Sequence, residues 1–478
     1  MSTGDLKIGL EVFKGFSGKI TQAALGFIGT IIFARVLGPT SFGAFYFLQS
    51  IVFIIDRPIK GTGTAIAKRM SEADASQQEI VGAGLSVAGL GSLLASGIVL
   101  LNSPLSSFTG VEDAGIVFFA IFAPVTFFFI SQRMLEGLGL IGAKVWADTV
   151  RSALTLVAQL AFVLAGFGAA GMGYGLGVAT VISAGVGLYL VGIRPRTPSR
   201  EIIRSVWEYA RYSIPQSFVG KIYGRVDTLA LGILASTSYV SYYEVGLKLS
   251  IPATFLSGMV ASALFPKISN LASGERDIST DTQNAISYTS IISIPILFGA
   301  ISLPEKLVVT PYGPSYSPAS PFLIGLVLIQ VISSQVTVYI SALKGMNHPD
   351  ISLNINLIGL SVNVAVAIVA WLLVGPIGIV IGSVVAELTQ YLIASRKVKQ
   401  RVNVSRISRP LVEQIFSGVG MFVVLKVIRS FVPLKTFVHL GAVIGFGAAV
   451  YFALLYGISN SFRLTINSVL GDIVAEYN

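Results

Sequence analysis

Long apolar runs without a single charged residue set the pattern of this chain. The longest extends from Ser152 to Ile193, 42 residues. That suits two membrane helices of about 20 residues each, and the Gly-rich segment 166–175 supplies the turn between them. A second run, Ile351 to Ala386, carries Gly375-Pro376 near its middle and reads as two helices joined by a tight turn. A third, Leu307 to Leu343, opens on a Pro-rich loop at 310–321 and leaves one span at 321–343. Single spans fit 80–101, 114–132, 245–265, 283–303 and 436–458. Residues 20–34 and 41–56 make two more around a turn at 36–41. Residues 411–432, interrupted by Glu413 and Lys426, make another. Residues 212–234 complete the set despite Lys221, Arg225 and Asp227. The pattern therefore predicts an all-α polytopic membrane protein with about 14 transmembrane helices.

Charge adds orientation. Cytoplasmic loops of membrane proteins collect Lys and Arg. With the N-terminus inside and the spans alternating, 24 of the 33 Lys and Arg fall in inside segments and 3 in outside segments. This ordering puts both termini in the cytoplasm, and the plasma membrane is the expected location. Arg57, Lys60, Lys68 and Arg69 are counted here as an inside loop, as are Arg133 and Lys144. The net charge of +10 is then a property of cytoplasmic loops, and no nucleic-acid partner is expected. The first 19 residues hold no short apolar core with a cleavage site, so no signal peptide is expected.

Composition narrows the class further. Hydrophobic residues make up 53% of the chain and charged residues 12%, against roughly 25% charged in soluble domains. That excludes a soluble enzyme, a coiled coil and a disordered chain. Apolar runs of span length also argue against an outer-membrane barrel, whose strands alternate. There is no Cys and there are two His, His348 in a turn and His439 at a helix edge. No metal site or other cofactor is expected from so few ligands. Asn403-Val-Ser405 fits a glycosylation acceptor but falls in an inside loop.

The two halves echo each other. Phe16–Ile20 matches Phe218–Ile222, Ser50-Ile51 matches Ser250-Ile251, Leu135–Leu138 matches Leu343–Met346, and Gly168–Gly175 matches Gly375–Gly382, in order and at offsets of 200 to 208. Six spans per half leave both copies in the same orientation, a parallel repeat of the kind used by transporters. The predicted organisation is a six-helix bundle at 1–193, a second at 194–410, and two appended helices with a cytoplasmic tail at 411–478.

Ordered motifs along the chain then suggest a family. Arg35-Val-Leu-Gly-Pro-Thr-Ser-Phe-Gly43 resembles the signature A-R-x-LG-P-x-x-[FY]-G of polysaccharide-biosynthesis flippases, within the multidrug/oligosaccharidyl-lipid/polysaccharide exporter superfamily. Gly61–Arg69, Leu135–Gly139, Tyr209–Pro215, Arg225–Gly232, Leu264–Asn270, Phe322–Ile324 and Ala342–Met346 follow in the same order. The resemblance spans about residues 10 to 400. It implies two bundles in a V, working by alternating access. It implies translocation of a polyprenyl- or dolichyl-phosphate-linked oligosaccharide from the cytoplasmic to the outer leaflet, for cell-surface polysaccharide or glycoprotein glycan assembly. Expected partners are the lipid-linked oligosaccharide, membrane lipids and glycosyltransferases of the same pathway. Two other classes are weighed. A membrane-embedded glycosyltransferase or glycan polymerase would want carboxylates on sizeable outside loops, and 102–113 and 304–320 offer only Glu112, Asp113 and Glu305. A drug/cation antiporter would favour an acidic cavity.

Ionisable residues inside spans mark candidate sites, because they must face a cavity or a partner. Lys221 and Arg225, four apart, read as one helix face, and Glu244 and Lys248 as another pair. Lys221, Arg225, Lys248 and Arg35 are the candidates for holding the substrate phosphate, by an Arg fork or a Lys point charge. Asp227, Glu244, Asp148 and Glu387 are the candidates for coupling to a Na⁺ or H⁺ gradient.

Overall fold

The computed structural model describes residues 3–72, 76–274, 276–405, 408–431, 436–464 and 467, with side chains from residue 21 onward except 219–223. Among the described residues the chain forms helices and turns and no strand. In order the helices are α1 (Thr3–Ile55), α2 (Arg57–Met70), α3 (Gln77–Ser96), α4 (Asn102–Thr109), α5 (Ala114–Gly137), α6 (Ile141–Phe162), α7 (Gly168–Val191), α8 (Arg200–Tyr223), α9 (Val226–Leu234) and α10 (Thr237–Ser250). They continue with α11 (Phe255–Ser273), α12 (Ser279–Tyr288), α13 (Ser293–Ser302), α14 (Pro304–Tyr312), α15 (Ala319–Gly345), α16 (Pro349–Val374), α17 (Ile377–Lys399), α18 (Arg409–Phe431) and α19 (Phe437–Ile458).

Eleven segments among the described residues are long and apolar enough to cross a membrane. The protein is a multi-pass membrane protein. Two of the eleven turn at glycines of positive φ. The segment 21–55 turns at Gly38 (φ 70°), inside the turn expected at 36–41, and 141–191 turns at Gly166 and Gly168. Residues 212–234 are not among the eleven. Their first part lies in α8, which carries Arg200, Glu201, Arg204, Glu208 and Arg211, and the apolar remainder, α9, is only 9 residues long. The expected outside loop 102–113 is mostly helix: α3 runs through a 3₁₀ turn into α4 and ends at Thr109.

Contacts divide the chain into two compact units, Met1–Ser241 and Tyr242–Asn478. In the first unit α5 packs against α2, α3 and α7. The segment 192–199 runs back along α3, with the Arg196 N–H donating to the Gln78 carbonyl (3.0 Å) and the Ser199 N–H to a Glu79 carboxylate oxygen (2.8 Å). It delivers α8 onto α2. There Ser213 Oγ donates to the Gly61 carbonyl (2.7 Å), Ser217 Oγ to the Arg57 carbonyl (2.9 Å), and Arg69 Nη2 to the Ser205 carbonyl (2.9 Å). A Cβ on Gly61 would stand 2.4 Å from the Ile214 Cα, so the two backbones meet where Gly61 has no side chain. Packing therefore changes hands at 241/242, and not at the 193/194 divide expected from the sequence repeat.

In the second unit α15 packs against α11, α13 and α17. The last two helices lie on this unit: α18 packs along α13, and α19 packs on α18, α13 and α14, around Ile294, Met421, Leu425, Val443 and Tyr451. The segment expected as one span at 283–303 is broken at 289–292, between α12 and α13. A break frees backbone carbonyls that lipid cannot hydrate, so side chains must serve them. Gln335 Nε2 donates to the Ile286 carbonyl (3.1 Å) and to Ser290 Oγ (2.7 Å), and Gln414 Nε2 donates to the Ser287 carbonyl (2.7 Å). Gln335→Leu is expected to destabilise the purified protein by about 1–3 kcal/mol, the cost of leaving such groups unmet. A melting temperature in detergent equal to wild type would show that the break does without this amide.

The sequence echoes correspond to shared local geometry in each unit. Leu135–Gly139 and Leu343–Asn347 both end a helix the same way. Leu140 N–H donates to the Leu135 carbonyl (2.8 Å) and His348 N–H to the Leu343 carbonyl (2.9 Å), with Gly139 at φ 74° and Asn347 at φ 61°. Gly and Asn are the residues that tolerate this left-handed helix stop. The second pair is as close. Gly168 and Gly375 have positive φ at the turns before α7 and α17. Three residues on, Gly171 and Gly378 abut the end of the preceding helix at Phe162 and Ala370, and four further, Gly175 and Gly382 abut Gln159 and Ala367. Small residues at this spacing let helix backbones approach. The Phe16–Ile20 and Phe218–Ile222 match lies largely outside the described side chains.

Candidate functional site

The strongest concentration of buried charge is one that sequence reasoning assigned to a loop. Asp56, Arg57 and Lys60 stand where α1 passes into α2. The helical ladder carries through, with Asp56 N–H donating to the Val52 carbonyl and Lys60 N–H to the Asp56 carbonyl, both at 3.0 Å. Pro58, which has no N–H, sits in the first turn of α2. Residues 57–70 are thus a helix packed against α5 and α8 and not a loop. The reason for the error is physical. A charge alone predicts the end of a span, but a carboxylate with cations one and four residues on neutralises much of its own cost. Asp56 is completely buried, at 0% exposure. Arg57 Nε (2.8 Å) and Nη2 (2.6 Å) both reach Asp56 Oδ1, and Lys60 Nζ reaches Oδ2 at 2.7 Å. The signal that could have found the group is the spacing itself, Asp56-Arg57-Pro58-Ile59-Lys60.

Aromatic rings link this group to further cations of the first unit. Lys60 Nζ lies 4.9 Å from the centre of the Phe53 ring and 5.4 Å from that of Phe129. The Arg225 guanidinium lies 5.9 Å from the same Phe53 ring, and its Nη1 donates to Ser50 Oγ at 3.4 Å. Beyond Phe129 comes Arg133, 5.0 Å from that ring, which pairs with Glu136 at 3.0 Å. Lys144 pairs with the same Glu136 at 2.5 Å. Cations over aromatic faces are stabilised by the ring quadrupole, more so where water is scarce. The first unit therefore holds a row of cations separated by aromatic rings, from Arg225 through Lys60 to the turn between α5 and α6.

The sequence candidates fall in both units. Arg225 joins the row, but not by the route expected. α8 ends at Tyr223 and Arg225 stands in the break before α9, so its spacing from Lys221 does not describe one continuous helix face. The Lys221 side chain lies outside the described residues. Asp227 is buried in the first turn of α9. Arg35 is exposed near the end of the first segment of α1, three residues before Gly38. Asp148 is paired within α6 to Arg151, at 2.8 Å. In the second unit Glu244 is buried and Lys248 half-buried on α10, and Glu387 is buried on α17. Among the described residues no group of three or more His, Cys, Asp or Glu is placed to hold a metal ion.

A family model described as polysaccharide biosynthesis protein matches residues 11–272, more than half of the chain. The chain belongs to that family. Two relatives from Haloferax volcanii agree. One, "Probable flippase AglR", is 24% identical over 96% of this chain and 97% of its own length. The other, "Probable low-salt glycan biosynthesis flippase Agl15", is 25% identical over 76% of this chain and 78% of its own. Among solved structures, the lipid II flippase MurJ in an inward closed conformation has the same fold, with a TM-score of 0.77 at 13% identity over 92% of this chain and 98% of that one. An inward-facing multidrug resistance MATE family transporter of the MOP superfamily gives 0.63 at 18% identity over 79% and 95%. The family resemblance read from Arg35–Gly43 onward is confirmed, and the fold is the one shared with MurJ and the MATE transporter.

Proposed function

We propose that the protein flips a polyprenyl- or dolichyl-phosphate-linked oligosaccharide from the cytoplasmic to the outer leaflet of the plasma membrane, by alternating access, for cell-surface polysaccharide or glycoprotein glycan assembly. The observation that carries this reading is the gathering of Lys60 and Arg225 around Phe53, with Arg57 beside Lys60 on the same Asp56 carboxylate. Arg and Lys in a partly dry environment suit a phosphate, Arg through two parallel donors and Lys as a point charge. The row continues over Phe129 to Arg133 and Lys144, at the α5–α6 turn that the charge pattern assigns to the cytoplasm. A phosphate arriving from that side would meet a cation at each step. Lys248, Lys221 and Arg35 remain candidate contacts on the same reading. Asp227, Glu244, Asp148 and Glu387 are the candidates for coupling to Na⁺ or H⁺, and glycosyltransferases of the pathway are the proposed suppliers of substrate.

Reconstitution tests this directly. Liposomes bearing a fluorescent polyprenyl-phosphate saccharide should equilibrate it between leaflets when the protein is present, and transport should become directional under a Na⁺ or H⁺ gradient. Liposomes whose leaflet distribution the protein leaves unchanged would count against it. Topology is separately testable, since the chain has no Cys. Single Cys probes at Ser199 and Ser405 should be protected from an impermeant outside reagent, and labelling at either would contradict cytoplasmic termini.

A further inference from the structure

We propose that Asp56 is a resident stand-in for the substrate phosphate, holding Arg57 and Lys60 while the carrier is empty and exchanging places with the phosphate when substrate binds; this rests on the phosphate site proposed above. Both carboxylate oxygens are engaged, Oδ1 by Arg57 and Oδ2 by Lys60. The helical ladder runs through Asp56 into α2 and Pro58 has no N–H, so no backbone group there needs its side chain, and the carboxylate is left to the two cations. Fully buried, it is not a solvated surface charge that drifts into an ion pair.

The argument concerns the empty state. A buried cation without an anion is costly, by several kcal/mol per ion. A carrier that binds a phosphate tightly and then releases it must leave its cations with some other anion. A carboxylate on the same helical turn supplies one at high effective concentration, without waiting for a solute ion. Its two oxygens present to Arg57 and Lys60 the acceptors that a phosphate would present. A phosphate oxygen set carries equal or greater charge, so it can take the cations over. Binding is then an exchange, and release is assisted by Asp56 returning. The contacts of α2 with α8 run through the Gly61 and Arg57 carbonyls and the Arg69 side chain, so withdrawal of the Asp56 side chain leaves them in place.

Purified full-length protein in detergent, titrated with farnesyl diphosphate, an anionic head on a short prenyl tail, tests the exchange. If Asp56 competes for the cations, Asp56→Asn should bind the probe at least about fivefold tighter, the lower end of ordinary coupling between sites, and release it more slowly. Weaker or unchanged binding in Asp56→Asn would overturn the proposal, because a residue that only positions the cations loses affinity when removed. Arg57→Gln with Lys60→Gln tests the site itself: loss of binding supports it, and wild-type binding would refute the phosphate site and not merely the exchange. A second measurement does not depend on Asp56→Asn folding. Infrared difference spectra of the wild type on adding the probe should show a carboxylate band shift, assigned to Asp56 by its displacement in Asp56→Glu. No such shift on saturation would also overturn the proposal.

Discussion

Arg57→Ala is expected to lower translocation about tenfold or more while the protein still reaches the membrane. The guanidinium donates Nε to Asp56 Oδ1 at 2.8 Å, with Nη2 2.6 Å from the same oxygen, so it already holds a buried anion. A hydrogen bond to a charged group contributes about 1.5–3 kcal/mol, which corresponds to one to two orders of magnitude in binding. Removing it leaves Lys60 to hold Asp56 at 2.7 Å, so the buried carboxylate keeps a partner and folding should survive. Arg57→Lys should fall between, since charge is kept and the fork is lost. Transport rates normalised to membrane abundance decide it. Wild-type transport in Arg57→Ala would move the phosphate site elsewhere.

Arg225 should behave as a second such cation, and its effect can be separated from structure. Arg225→Ala is expected to abolish or strongly reduce transport with normal insertion, and Arg225→Lys to retain part of it. The guanidinium stands in the break between α8 and α9, beside Ser50 and Phe53, where a helix does not constrain its approach to a ligand. The rival account is that Arg225 serves Asp227, two residues on and buried. The double change Arg225→Ala with Asp227→Ala removes both charges together. If the pair were structural, the double variant would recover activity lost in the single. The phosphate account predicts that it stays inactive. A double variant near wild-type transport would return Arg225 to the structure of α9.

Much of the fold was legible because lipid makes charge and turn chemistry informative. The turn at Gly38, the turn at Gly375-Pro376 and the spans within α5, α15 and α19 follow from charge-free runs and glycine positions. The repeat was legible from glycines that do the same work in each unit, Gly171 and Gly175 against α6, Gly378 and Gly382 against α16. What was not legible is where tertiary contacts cancel a local rule. Asp56, Arg57 and Lys60 read as a loop because the rule treats each charge alone, while their contacts satisfy one another. The break at 289–292 holds no Pro or Gly itself, its one local signal is Pro295 in the first turn of α13, and the side chains that serve it, Gln335 and Gln414, come from helices far along the chain. Arg225 was found from its charge, but the helix break beneath it was not, because residues 212–234 read as one continuous span.

The measurement that bears most directly on the central claim is the leaflet in which lipid-linked glycan resides in cells lacking the protein. Membrane-impermeant labelling of the saccharide in intact cells, compared with the total extracted, gives that distribution. The account predicts that the glycan is fully assembled but confined to the cytoplasmic face, and that the wild-type gene restores outside labelling while the Arg57→Ala gene does not. Cells that display lipid-linked glycan outside as before, or that fail to assemble the glycan at all, would contradict it.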